Sequence, residues 1–145
     1  MTIEDLIEDI VSGLTANGVD YEFLSSEESY ANALSDEFTN PMILLLPVVY
    51  DAEIKTGGHW SEVSECMIIV TFKSNLDDNP TKQREYVEKA KLAIKEIILK
   101  IDDNEDVTNL KMNKIRPLLN FTDVNRSGAS IDFTFELRNN TSVCI

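Results

Sequence analysis

The chain lacks a long hydrophobic run and a leader pattern at its start. Its longest apolar segment, residues 41–50, is about half the roughly 20 residues that a membrane-spanning helix needs, and Pro47 lies within it. The first ten residues carry four acidic side chains, where a secretory signal carries positive charge. These absences predict a protein that does not cross a membrane and stays in the cytoplasm where it is made.

Cysteine and histidine are scarce. The two cysteines, Cys66 and Cys144, belong to no CxxC or Cys/His grouping, which favours free thiols in a reducing compartment. His59 is the only histidine, so one chain cannot build a metal site from a histidine pair or a proton relay from two histidines. We therefore expect no metal and no cofactor.

Catalytic signatures are missing as well. The sequence has no Gly-rich phosphate loop, no GxSxG turn and no HExxH helix. Segment 102–106 resembles the beginning of a calcium loop, but Val107 replaces its glycine and Asn113 replaces its bidentate glutamate. We expect that the protein is not an enzyme. Two carboxylates brought together only by folding are the catalytic alternative that the sequence leaves open.

Positive charge is in short supply. Thirteen Lys and Arg against 26 Asp and Glu give a formal net charge of −13. This balance opposes binding to nucleic acid, because affinity for a polyanion comes chiefly from cationic contacts to phosphate. An acidic wall does let DNA slide past without sticking, since charges of like sign repel.

Two segments have helical periodicity within a chain whose 145 residues suit a single domain, 1–145. The first begins at a capping box formed by Thr2 and Asp5 and ends at Asn17-Gly18. The second begins near Pro80 and ends near Ile101, with apolar residues on one side and many lysines and glutamates on the other.

Strand patterns occupy much of the first half of the chain. Residues 19–24 predict a short strand, and segment 41–50 predicts a buried strand that Pro47 restricts to an edge, a bulge or a strand end. The turn at Gly57-Gly58 is followed by stretch 61–74, which alternates partly and ends in the apolar residues 67–72, and together they predict a β-hairpin with a long arm. Segment 25–36 predicts a polar loop or a short helix.

Two further strands, 110–119 and 129–138, follow the long helix and are joined by a turn-rich loop, 122–128. The second strand alternates cleanly and directs inward its residues Ile131, Phe133, Phe135 and Leu137. Hairpins on both sides of one helix imply an antiparallel or mixed sheet. We expect a single two-layer α+β domain in which the two amphipathic helices cover the sheet.

The tip of the first hairpin presents aromatic residues. His59 and Trp60 directly follow the glycine turn. Exposed aromatic residues are enriched among binding hot spots, so the tip is a candidate contact for a partner. The alternative is a tryptophan that packs back onto its own sheet.

The chain resembles the small tail-terminator and neck proteins of long-tailed bacteriophages in the order and character of its elements. The segments that carry the resemblance are IEDLIEDIVSGL, NPMILLLPVVY, CMIIVTFKSNLDDNP, KQREYVEKAKLAIKEIILKI and ASIDFTFELRN. This resemblance implies a ring of identical subunits, often six, that caps the tail tube and joins it to the head connector. It further implies assembly in the host cytoplasm, a final place in the virion, and a lumen through which DNA passes without specific binding.

A cyclic ring needs two different complementary patches on each subunit. Loops on a rigid sheet commonly supply such contacts. We expect them in loops 50–62 and 120–130, with these candidate residues: Lys55, Gly57, Gly58, His59, Trp60, Asp123, Asn125 and Arg126. The alternative function is a cytoplasmic adaptor or regulatory protein-binding module without catalytic activity.

Overall fold

The computed structural model describes residues 2–25, 40–120 and 125–138. They form a mixed α+β fold with two α-helices and a six-stranded sheet. The elements are α1 (Ile3–Ser12), β1 (Glu22–Ser25), β2 (Met42–Leu45), β3 (Val49–Lys55), β4 (His59–Lys73), α2 (Pro80–Asp102), β5 (Val107–Leu118) and β6 (Arg126–Leu137). The loop or helix predicted for 25–36 lies, apart from Ser25, outside the described residues, as do Asp123 and Cys144.

Both helices begin where the sequence predicts. At α1, the Thr2 hydroxyl accepts a hydrogen bond from the Asp5 N–H (3.1 Å), and the Asp5 carboxylate accepts one from the Thr2 N–H (3.4 Å). This reciprocal pair is the predicted capping box. At α2, the Asn79 side chain accepts a hydrogen bond from the Lys82 N–H (2.8 Å), with Pro80 in the first turn. No helix among the described residues is long and apolar enough to cross a membrane.

One large cluster of buried side chains holds the helices and strands together. Alternate residues of β6 lie in this cluster. They include Ile131, Phe133, Phe135 and Leu137, so the prediction that these four side chains point inward is confirmed. The helical residues of the cluster are Ile3, Leu6, Ile7 and Val11 from α1 and Tyr86, Ala90, Ala93, Ile94, Ile97, Ile98 and Ile101 from α2. A smaller cluster on the other side of the sheet centres on Leu44 and Ile69.

The sheet has the strand order β1-β2-β4-β6-β5, and β3 pairs with the first half of β4. The β1–β2 pair is parallel and the other pairs are antiparallel, so the sheet is mixed. Leu45 pairs with Ile68 and Val49 pairs with Glu65, which leaves three residues of one strand opposite two of the other. Pro47 lies in this bulge, which is one of the three positions that the sequence predicts for it: an edge, a bulge or a strand end.

The turn-rich loop ends earlier than the sequence predicts. β6 begins at Arg126, which pairs with Lys73 and is fully buried. Its Nε donates a hydrogen bond to the Thr71 hydroxyl (3.1 Å), and its Nη2 donates one to the Asn40 carbonyl (2.7 Å). Burial lowers the pKa of this guanidinium group. Arg126, one of the predicted contact residues, is therefore enclosed by the sheet, because pairing with β4 extends the strand through a segment of turn-forming composition.

Candidate protein-interaction surfaces

A β-hairpin extends beyond the paired centre of the sheet. β6 pairs with β4 only from Ser64 onward, so residues 59–63 of β4 pair with β3 alone. We call residues 49–63 the arm. The structure confirms the hairpin with a long arm that the sequence predicts. The Ser61 hydroxyl donates a hydrogen bond to the Glu136 carboxylate (3.1 Å) and so anchors the arm to the end of β6.

The tip of the arm contains five of the residues predicted for partner contact: Lys55, Gly57, Gly58, His59 and Trp60. Lys55 pairs with His59, and the Gly58 N–H donates a hydrogen bond to the Lys55 carbonyl (3.1 Å). Gly57 and Gly58 have φ angles of 90° and 78°, a region that glycine adopts without steric cost. Lys55, Gly57 and His59 are exposed, which leaves the tip accessible.

One side of the arm presents large apolar side chains to solvent, with Glu62 among them. Ile54 pairs with Trp60, and Tyr50 lies four pairs farther along the ladder, on the same side of the arm. Tyr50 is 48% exposed and Ile54 is 63% exposed. Trp60 is half-buried, and its indole N–H donates a hydrogen bond to the Glu62 carboxylate (2.7 Å). We call Tyr50, Ile54 and Trp60 the arm face. Trp60 is among the residues that the sequence predicts for partner contact, whereas the more exposed Tyr50 and Ile54 are not.

The arm lies in an acidic environment. Burial raises the pKa of Tyr50, and the negative charges of Glu4 and Glu62 and the nearby Cys66 raise it further. Glu4 belongs to α1, so the charge of that helix reaches the base of the arm. The arm itself carries Asp51, Glu53 and Glu62 against Lys55.

A second apolar surface lies between α2 and β5. It is a groove of about 420 Å³ whose walls include four exposed side chains: Leu92 (53% exposed), Leu99 (57%), Met112 (62%) and Ile115 (43%). Ile94, Ile98 and Ile131 also line it, and Glu88, Lys91 and Lys95 complete the lining. We call it the α2–β5 groove.

The shape of β5 accounts for the groove. Residues 109–110 lie opposite the single residue Phe135, and residues 113–114 lie opposite Asp132, so β5 contains two bulges. Bulges bend a strand and increase its twist. β5 is also the last strand of the sheet, and no described strand pairs with its outer side. Its apolar residues Met112 and Ile115 are therefore left beside the helix without a neighbouring strand to cover them.

The two surfaces differ in charge. β5 carries Lys111, Lys114 and Arg116 and no acidic residue, and the groove adds Lys91 and Lys95 to Glu88. This difference follows the sequence: residues 1–72 contain 14 Asp and Glu and one Lys, whereas residues 73–145 contain 12 of each sign. Counting charge in halves would have revealed the asymmetry that the total of −13 conceals.

The second predicted contact loop lies far from the first. Asn125 precedes β6, and its carbonyl accepts hydrogen bonds from the N–H (2.8 Å) and hydroxyl (2.9 Å) of Ser74. β4 spans 15 residues between His59 and Lys73, which places the two loops on the order of 45 Å apart at the rise of an extended strand. The fold therefore does not bring these two loops together.

Cys66 offers no reactive thiol. Its side chain lies in the main core, where burial and the nearby Glu4 raise the pKa of the thiol to about 12. A thiol reacts as its thiolate, which is scarce at such a pKa. Within residues 2–25, 40–120 and 125–138, no group of three or more His, Cys, Asp or Glu side chains is arranged to hold a metal ion.

Comparison of the sequence with models of protein families and with curated proteins gave no match. The function of the chain is therefore inferred from its own surfaces.

Proposed function

We propose that this protein is a structural virion subunit, a bacteriophage tail-terminator or neck protein that forms a ring at the head-proximal end of the tail tube. The observation that carries the proposal is the presence of two distinct exposed apolar surfaces, the arm face and the α2–β5 groove, on one small subunit.

The positions of these surfaces suit a ring. β3 pairs with β4 on the side away from β6, because Ser64 and Glu65 pair with both strands. β5 lies beyond β6, so the arm and the groove occupy opposite edges of the sheet. A head-to-tail ring requires two different patches that face neighbouring copies. An arrangement with one patch at each edge meets that requirement.

The proposed subunit is a two-layer domain in which α1 and α2 cover one face of the sheet. The cluster that buries residues of both helices together with alternate residues of β2, β4 and β6 supports this arrangement. The order of elements supports the resemblance to tail-terminator and neck proteins, whose partners are the tail-tube and head-connector proteins. The net charge of −13 supports a lumen through which DNA passes without binding.

Light scattering and electron microscopy test the proposal. The purified protein is examined alone and mixed with the tail-tube protein encoded in the same genome. We expect closed rings of identical subunits, either free in solution or at one end of the tubes. A protein that stays monomeric at high concentration and does not associate with the tube would contradict the proposal. A monomer that binds an unrelated cytoplasmic protein would favour the adaptor alternative.

A further inference from the structure

We propose that the arm of one copy occupies the α2–β5 groove of the next copy around the ring. This inference rests on the proposed function and identifies the interface on which the ring would depend. The occupant of the groove is therefore a second copy of this chain.

The apolar parts of the two surfaces are complementary. The arm face presents Tyr50 and Ile54 on a narrow two-stranded element, and the groove presents leucine, methionine and isoleucine side chains around about 420 Å³. This volume suits one or two inserted side chains. Insertion of Ile54 would remove apolar surface of both copies from water, which favours association.

The charges are complementary as well. The arm carries acidic side chains on both of its sides: Glu62 lies on the same side as the arm face, and the exposed Asp51 and Glu53 project from the opposite side. Lys91 and Lys95 lie on the exposed side of α2 at the groove, beside a strand with three further basic residues. Opposite charges on the two surfaces favour this pairing and disfavour the pairing of two arms or two grooves.

The backbone allows close approach. β3 pairs only with β4 among the described strands, and no described strand pairs with the outer side of β5. The arm and the groove are at opposite edges of one sheet, so the arm of a copy does not reach its own groove. Docking between copies then continues in one direction, as a ring requires.

Charge reversal tests the pairing. The arm variant carries Asp51→Lys and Glu53→Lys, and the groove variant carries Lys91→Glu and Lys95→Glu. We expect each variant alone to assemble at least tenfold more weakly than the wild type, by analytical ultracentrifugation. Assembly should return when the two variants are mixed, because each arm then meets a groove of opposite charge. A chain that carries all four substitutions should also assemble.

Matched controls change the net charge equally at other exposed sites. Asp103→Lys with Glu105→Lys controls for the arm variant, and Lys73→Glu with Lys82→Glu controls for the groove variant. Lys82 forms an exposed ion pair with Glu85, as Lys91 does with Glu88. We expect both controls to assemble like the wild type, and circular dichroism and thermal melting to match for all variants.

A disulfide cross-link gives a second readout. Ile54→Cys is combined with Met112→Cys in a chain with Cys144→Ser, which leaves the buried Cys66 as the only native thiol. Oxidation of the assembled protein should give a ladder of covalent oligomers, and either cysteine alone should not.

The outcomes separate the two proposals. If the wild type forms rings, both charge variants assemble as strongly as the controls, and no covalent ladder appears, the arm-to-groove interface is overturned while the ring function stands. Absence of wild-type rings, alone and with tube protein, would overturn both.

Discussion

Glu96 ties the segment after α1 to the long helix. Its carboxylate accepts hydrogen bonds from the backbone N–H groups of Ala16 (2.8 Å) and Thr15 (3.1 Å) and forms an ion pair with Lys100 (3.2 Å). Lys100 in turn donates a hydrogen bond to the Gly13 carbonyl (2.9 Å). Desolvation raises the pKa of Glu96, but these hydrogen bonds and the ion pair lower it more, so the pKa lies below its ordinary value.

We expect Glu96→Gln to lower the free energy of unfolding by about 1–3 kcal/mol at pH 7, because hydrogen bonds to a charged acceptor are lost. Urea unfolding measures the change. Glu85→Gln is the control: its carboxylate forms an exposed ion pair with Lys82, away from the α2–β5 groove. That substitution should cost less than about 1 kcal/mol. Equal effects of the two substitutions would show that the contacts of Glu96 do not stabilise the fold.

The contribution of Glu96 should depend on pH. Because its pKa in the folded state lies below the ordinary value of 4.5, its stabilisation is fully present above that value and is lost as pH falls through the folded pKa. The difference between wild type and Glu96→Gln should stay constant from neutral pH to about pH 5.5 and shrink as the pH drops below 4.5. A difference that stays constant down to pH 3 would contradict this assignment.

Cys66 should resist alkylation in the folded protein. With a pKa of about 12, on the order of 1 thiol in 10⁴ is a thiolate at pH 8. In a Cys144→Ser variant, iodoacetamide should modify Cys66 only after urea unfolds the chain, as mass spectrometry would show. Modification of the native protein at the rate of the unfolded chain would contradict the burial of this thiol.

At the scale of elements, the contact between β4 and β6 depends on one glycine. Gly128 pairs with Thr71, and a Cβ atom on Gly128 would lie 1.9 Å from the carbonyl oxygen of Val70. No flexible side chain can move to relieve this clash, since the obstacle is backbone. The two central strands can approach only because this position lacks a side chain.

We therefore expect Gly128→Ala to lower the stability by about 3 kcal/mol or more, because the strands must separate or shift. Gly13→Ala is the matched control, since its added Cβ would find the nearest atom, Lys100 Nζ, at 3.6 Å. Thermal unfolding of both variants gives the comparison. A Gly128→Ala protein that melts with the control would show that β4 and β6 can separate at little cost.

Local patterns were sufficient to predict several elements from the sequence. The capping residues of both helices, the glycine turn of the arm and the alternation in β6 each act within a few residues. The sheet order required more, because β1 pairs with β2 across a long connection and in parallel. The bulges of β5 and the early start of β6 at Arg126 depend on the neighbouring strand, which composition does not reveal.

The candidate surfaces were predicted unevenly for the same reason. The position of the arm follows from its glycines, so His59 and Trp60 could be placed at its tip. The groove arises where α2 meets β5. A pattern of neighbouring residues does not reveal that this helix and this strand pack together. Leu92 and Leu99 gave a partial indication, because both lie off the buried face of the helix. Their partners Met112 and Ile115 become recognisable only once the strand is in place.

For the whole molecule, the uneven distribution of charge and the net charge of −13 have opposite effects on association. Two subunits of this size have centres on the order of 38 Å apart at contact. Treated as point charges, they repel by roughly 5 kcal/mol at 0.01 M salt and by less than about 1 kcal/mol at 0.1 M. The attraction between opposite charges of arm and groove, which lie a few ångströms apart, is screened much less between about 0.01 M and 0.1 M salt.

We therefore predict that the assembled fraction passes through a maximum as the salt concentration rises. It should strengthen as NaCl rises from about 0.01 M to 0.1 M, because the repulsion between subunits is screened first. Toward about 1 M it should weaken, because the Debye length of roughly 3 Å then screens the contacts between arm and groove as well. Sedimentation velocity at a fixed protein concentration gives the assembled fraction. In the arm variant, the weakening at high salt should disappear, since its interface has no attractive charge pairs to screen. Assembly that keeps strengthening up to about 1 M NaCl would mean that the interface is held by apolar contacts alone, with no contribution from the opposite charges of arm and groove.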